Sequence, residues 1–156
     1  MDIRSANVLE IMNARLDLAV QKGCDGVEPD NVDGYANNNG FNFSATDQLA
    51  FNRRIANAAH ERNLAVVLKN DLDQTSALLD YFDFAVNEQC HEFDECVDMQ
   101  PFVTAGKPVF SAEYDRQFVA DVAERDRVCA EARAQNIRTL ILPLDLDDSF
   151  RFSCDG

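Results

Sequence analysis

The chain has 156 residues, 46% of them apolar, and a formal net charge of −14 from 28 acidic and 14 basic side chains. That length supports one domain with a buried core, and the negative field repels phosphates, which excludes nucleic acid as a natural partner. No stretch approaches the ~18 apolar residues of a membrane span, and MDIRSANVLE is no signal peptide. The acidity suits a cationic substrate or a metal, or serves solubility alone.

The first predicted element is a helix capped by Ser5, with Leu9, Met12, Leu16, Ala19 and Val20 on one face and Gly23 at its end. A short strand, CDGVEP, follows. Thr46 is expected to cap a second helix whose Leu49, Ile55, Ala56 and Ala59 share a face. LAVVLKN (64–70) is a continuous apolar run of the kind a buried parallel strand shows. A short helix around Asp73–Tyr81 leads to the strand FDFAVNEQ (82–89). A helical stretch around Phe93–Thr104, kinked at Pro101, ends at Gly106 and leads to KPVFSAEY (107–114). One longer helix, Gln117–Gln135, turns Phe118, Val122, Val128 and Ala132 inward before the fifth strand, IRTLILPLD (137–145). The terminal SFRFSCDG reads as an exposed end, tied only by Cys154.

Strands that alternate with helices, without hairpin signals, predict an α/β fold with parallel strands. Each apolar strand then ends C-terminally in polar groups: Glu28-Pro29-Asp30, Lys69-Asn70-Asp71, Asn87-Glu88-Gln89, Glu113-Tyr114-Asp115, and Asp145 with Asp147 and Asp148. One such ending is explained by helix capping. Five in succession point to a site on the C-terminal edge of the strands, where parallel α/β folds build them. Alternation puts Gly26, Glu28 and Asp30 on one face, and Pro29, with no N–H, ends the pairing so that Asp30 projects from the rim.

Two strand-end carboxylates can divide acid and nucleophile roles in glycoside hydrolysis, with Lys69 favouring the ionised form of one of them. The same residues leave two alternatives open, a Schiff-base lyase or aldolase using Lys69 and a carboxylate set holding Mg²⁺. A five-stranded doubly wound sheet is the alternative fold, although no Gly-rich phosphate loop follows any strand. Cys90 and Cys96 bracket a short loop and Cys129 could pair with Cys154, leaving Cys24 buried and free. Five reduced thiols remain the other reading. No cysteine pair has zinc-finger spacing, and His60 and His91 complete no metal cluster with them. His60 is expected on a helix surface, and His91 lies close in sequence to Glu88.

The ordered set GCDGVEPDNVDGY, LKND, FDFAVNEQCHEFDEC and KPVFSAEY, with DIRS before it, resembles glycoside hydrolase family 114, the endo-α-1,4-polygalactosaminidases often labelled α-galactosidase-like. The resemblance runs through nearly the whole chain, read as a single partial domain over residues 1–156. It implies a TIM (β/α)8 barrel that needs no cofactor and cleaves α-1,4-linked galactosamine polymers with retention. Carried onto this sequence, it implies Asp30 as nucleophile and Glu88 as acid/base, with Asn31, Asp33, Lys69, Asn70, Glu113 and Tyr114 lining the subsite. Asp33 serves equally as a turn cap, and Glu28 as a partner of Lys69. The substrate it implies is a cationic amino-sugar polymer, on which Tyr35, Phe41 and Tyr114 could stack. An eight-stranded barrel takes about 250 residues, so the resemblance covers roughly the C-terminal five-eighths of a family domain. A truncated chain, inactive or reduced to carbohydrate binding, and self-association through open barrel edges are the corresponding expectations. The resemblance and the cysteines together imply a secreted protein.

Overall fold

A computed structural model describes Met1–Gly156, with six helices and six strands, and the chain divides into two compact units, Met1–Phe84 and Ala85–Gly156. In the first unit, helix α1 (Ala6–Gln21) follows Ser5, which holds the N-cap position without a capping side-chain bond. Gly23, at φ +75°, supplies the left-handed turn that ends the helix. Strand β1 (Gly26–Val27) pairs in parallel with β2 (Ala65–Lys69), Gly26 opposite Ala65. A Cβ at Gly26 would lie 2.7 Å from the Ala65 carbonyl oxygen, so only glycine allows this approach.

Helix α2 (Ala45–His60) begins one residue after Ser44, not at Thr46 as the sequence suggested. Ser44 wins because Asp47 completes a capping box: the Asp47 N–H donates to Ser44 Oγ at 3.2 Å, and the Ser44 N–H donates to Asp47 Oδ2 at 2.8 Å. The buried face of α2 carries Gln48, Asn52, Ile55, Ala56 and Ala59, two polar residues among three apolar ones. After β2 the expected helix is short: a 3₁₀ turn, Leu72–Gln74, runs into α3 (Thr75–Leu78).

In the second unit, β3 (Phe84–Glu88), paired from Ala85 on, β4 (Val109–Glu113) and β5 (Arg138–Ile141) pair in parallel in chain order. Sequential pairing suits a barrel segment and not a doubly wound sheet, whose order reverses at a switch point. The fold class is therefore α/β, a barrel architecture that neither unit closes. Pro101 kinks nothing, because it sits in the first turn of α4 (Gln100–Thr104), where its missing N–H is not needed.

The single helix expected over Gln117–Gln135 is two, α5 (Arg116–Ala120) and α6 (Val122–Gln135). Asp121 adopts φ −106° and ψ 117°, and its side chain accepts from the Ala123 N–H at 2.8 Å, restarting the helix. That break turns Val122 outward, 59% exposed rather than inward as expected. The C-terminus also differs from expectation. Phe152–Ser153 form β6, antiparallel to β5, and Cys154 is buried in the cluster of Phe118, Val128, Cys129 and Ile141. Both suspected disulfides, Cys90–Cys96 and Cys129–Cys154, are present. Cys24 is free but exposed, not buried, because it lies in the turn between α1 and β1.

Candidate active site

The first unit gathers Glu28, Asp30 and Lys69. Lys69, only 8% exposed, carries its ammonium from the end of β2 to 3.2 Å from Asp30 Oδ1 and 3.9 Å from Glu28 Oε1. Gly26 opposite Ala65 puts Glu28 and Lys69 on one face, since paired residues of a parallel ladder point the same way. Asp30 remains exposed, with Asn31 Nδ2 3.3 Å from its Oδ2. Beside it opens a groove of about 1110 Å³, bounded by Met12, Leu16, Val27, Glu28 and Asp30.

Behind Asp30 lies a polar network that the sequence reading missed. Asn52, buried on α2, donates from Nδ2 to the Val32 carbonyl and to Asp71 Oδ2, both at 2.9 Å. Gln48 Nε2 donates to Asn52 Oδ1 at 2.8 Å, fixing the Asn52 amide. One side chain thus ties the turn after Asp30 to the turn after Lys69. The detectable signal was two amides four residues apart within the apolar stripe of α2. Asp71 is 2% exposed, and its Oδ1 has no hydrogen-bond partner. Burial, reinforced by the Asp33 and Asp73 charges, pushes its carboxyl up to about 7, against the hydrogen bond from Asn52, while the Tyr35 hydroxyl donates to Asp73 Oδ2 at 3.3 Å. Burial likewise raises the Tyr35 phenol, with Asp71 and Asp73 adding to it. Asp33 and Asn70 are half-buried in these same two turns.

The second unit holds Glu88 at the end of β3, where the Tyr114 hydroxyl donates to Glu88 Oε1 at 2.7 Å. Glu113 was expected along the subsite, but it is fully buried and occupied by the chain's own donors. Its Oε1 accepts from Ser111 Oγ at 2.7 Å and from the His91 N–H at 3.1 Å, and its Oε2 accepts from the Glu92 N–H at 3.3 Å. Burial raises its carboxyl and these three bonds oppose the rise. Glu113 therefore braces the turn after Glu88. His91 serves that turn through its backbone. Its imidazole, held below its ordinary range by burial, lies 3.4 Å from Thr139 Oγ1. Cys90, His91 and Cys96 lie together, but the two sulfurs are joined to each other, so they offer no thiolates to a metal.

The same backbone device follows three of the charged strand ends, though not Glu113 of β4. Asn31 after Asp30, Asn70 and Asp71 after Lys69, and Gln89 after Glu88 have φ of 56°, 51°, 50° and 68°. Asn and Asp tolerate the left-handed region better than other non-glycine residues, and the chain uses it also at Asn42, Asn63, Asp94, Asn136, Leu146 and Asp148. The turn reverses the chain abruptly and leaves the preceding side chain at the strand rim.

A sequence model of glycoside-hydrolase family GH114 matches residues 1–156. This chain belongs to family GH114. A crystal structure of Aspergillus fumigatus Ega3 in complex with galactosamine is 39% identical, with a TM-score of 0.89 over 99% of this chain and 63% of that one. The GH114 chain thus spans under two thirds of the length of that relative. The glycoside hydrolase domain of PelA from Pseudomonas aeruginosa shares the fold, with a TM-score of 0.69 at 13% identity, covering 98% of this chain and 66% of that one. Comparison with curated protein sequences finds no match.

Proposed function

We propose that this chain is a glycoside hydrolase of α-1,4-linked galactosamine polymers, with Asp30 as nucleophile and Glu88 as acid/base. The observation that carries the reading is the match to GH114 over residues 1–156, with the 39% identical Ega3 crystallised with galactosamine. Asp30 attacks the anomeric carbon while the Glu88 carboxyl gives its proton to the departing glycosidic oxygen. Water then attacks the glycosyl–Asp30 ester as Glu88 takes a proton back, so the anomeric configuration is retained. Lys69 fixes the Asp30 carboxylate, and Asn31, Asp33 and Asn70 border the sugar. The net charge of −14 attracts the ammonium groups of a deacetylated chain.

The test is incubation with deacetylated α-1,4-galactosamine oligomers, with the first-formed anomer followed by NMR. New reducing ends of retained configuration are expected, with substrate binding weakening several-fold between 0.05 and 0.5 M salt, roughly as Debye screening dictates. An inverted product, or binding without cleavage, removes the retaining mechanism, and salt-insensitive binding removes the electrostatic part. The two disulfides suit an oxidising, extracellular setting. The edge of β1 away from β2 is unpaired, which supports self-association. Sedimentation at increasing concentration should then show a dimer, and a monomer throughout counts against it.

A further inference from the structure

Glu88 occupies the last position of β3, opposite Ala112 of β4. Paired residues of a parallel ladder share a face, and alternation returns that face two residues on. Ala112 and Tyr114 therefore stand on the face of Glu88, while Ser111 and Glu113 take the buried one. From its side, the Tyr114 hydroxyl reaches Glu88 Oε1 at 2.7 Å, a length typical of a hydrogen bond to a carboxylate. From the other side, Glu113 accepts the His91 and Glu92 N–H groups, fixing the turn that leaves Glu88. Cys90–Cys96 closes that same turn covalently. Two consecutive residues of β4 and its exit thus meet the chain here, Tyr114 at the Glu88 oxygen and Glu113 at the backbone of the turn three and four residues further on.

We propose that Tyr114 is a positioning residue for Glu88, its hydroxyl selecting the carboxylate rotamer while Glu113 anchors the turn behind it. The proposal rests on Glu88 being the acid/base, and it moves Tyr114 from sugar stacking to carboxylate orientation. A glutamate at a strand end has three side-chain torsions to settle. A tyrosine has two, and its ring is a rigid lever that loses little entropy when held. Proton delivery to a glycosidic oxygen depends on this alignment, because a misplacement of about 1 Å can cost on the order of 100-fold in rate.

The test compares crystal structures and kinetics of the wild type, Tyr114→Phe and Glu88→Gln, the polymer being deacetylated α-1,4-galactosamine. Phenylalanine keeps the ring and removes only the donor. In Tyr114→Phe the Glu88 carboxyl is expected to move by about 1 Å or to split between two rotamers, and kcat to fall about 10- to 100-fold with KM changed less than about twofold. Glu88 unmoved in that crystal overturns the proposal, and so does a raised KM at unchanged kcat, which would mark a sugar contact. Glu88 displaced with turnover intact overturns it too. Equal turnover by the wild type and Glu88→Gln instead defeats the acid/base assignment. The position of Glu88 in the Tyr114→Phe crystal then still decides whether the hydroxyl orients it.

Discussion

Asp30→Asn should lower turnover of deacetylated galactosamine oligomers by on the order of 10³-fold or more, equivalent to about 4 kcal/mol of transition-state stabilisation. The substitution is nearly isosteric at an exposed carboxylate, so the melting temperature should hardly change. Its amide oxygen can still face Lys69, 3.2 Å away in the wild type, but it cannot form the glycosyl ester. Glu88→Gln should lose about 10²–10⁴-fold on the same substrate, the usual worth of a positioned general acid. An activated aryl glycoside separates the two roles, because a good leaving group departs without a proton. It should restore the glycosylation step to Glu88→Gln and leave Asp30→Asn inactive. The opposite pattern would exchange the assignments, and wild-type rates in both variants would place the chemistry elsewhere.

Asp71→Asn should change the pH dependence of stability by about 4 kcal/mol. Burial and the neighbouring Asp33 charge raise the folded carboxyl to about 7, whereas the unfolded group titrates near 4. Between those pH values the folded chain keeps a proton that the unfolded chain has lost. The contribution of Asp71 is thus fully favourable at the acid end, declines as pH rises towards 7, and is flat above it. Asparagine carries no such dependence and still offers an oxygen to Asn52, whose Nδ2 now reaches Asp71 Oδ2 at 2.9 Å. Denaturant unfolding of both proteins from pH 4 to 8 should show the variant gaining on the wild type up to about pH 7 and running parallel to it above. Parallel stability curves over the whole range would mean that Asp71 ionises normally inside the fold.

Much of this site was legible because strand ends in a parallel fold carry local signatures. Pro29 stops pairing, and Lys69 and Glu88 each close an apolar run, so the polar rim stood out locally, while the resemblance to the family is what singled out Asp30 and Glu88 on it. What stayed hidden depended on competition between partners. Thr46 and Ser44 are equally good caps on paper, and only the reciprocal bond with Asp47 decides for Ser44. Asp121 resembles any other surface acid of a long helix until its side chain is seen capping the Ala123 N–H. β6 is two residues long and pairs across an intervening loop, so no periodicity could announce it. Glu113 shows a related limit: a carboxylate at a strand end reads alike in sequence whatever it faces, and its bonds to the His91 and Glu92 N–H groups are visible only in the fold.

The left-handed turns at Asn31, Asn70, Asp71 and Gln89 also bear on how such a protein can be improved. Glycine fits that backbone without strain, so a search for thermostable variants would include these four positions. Yet each lies beside a charged side chain whose aim the turn sets, and glycine would also free the turn to move. Selection for heat resistance and selection for catalytic rate should therefore pull in opposite directions at these sites, and sequences optimised for one are expected to forfeit the other.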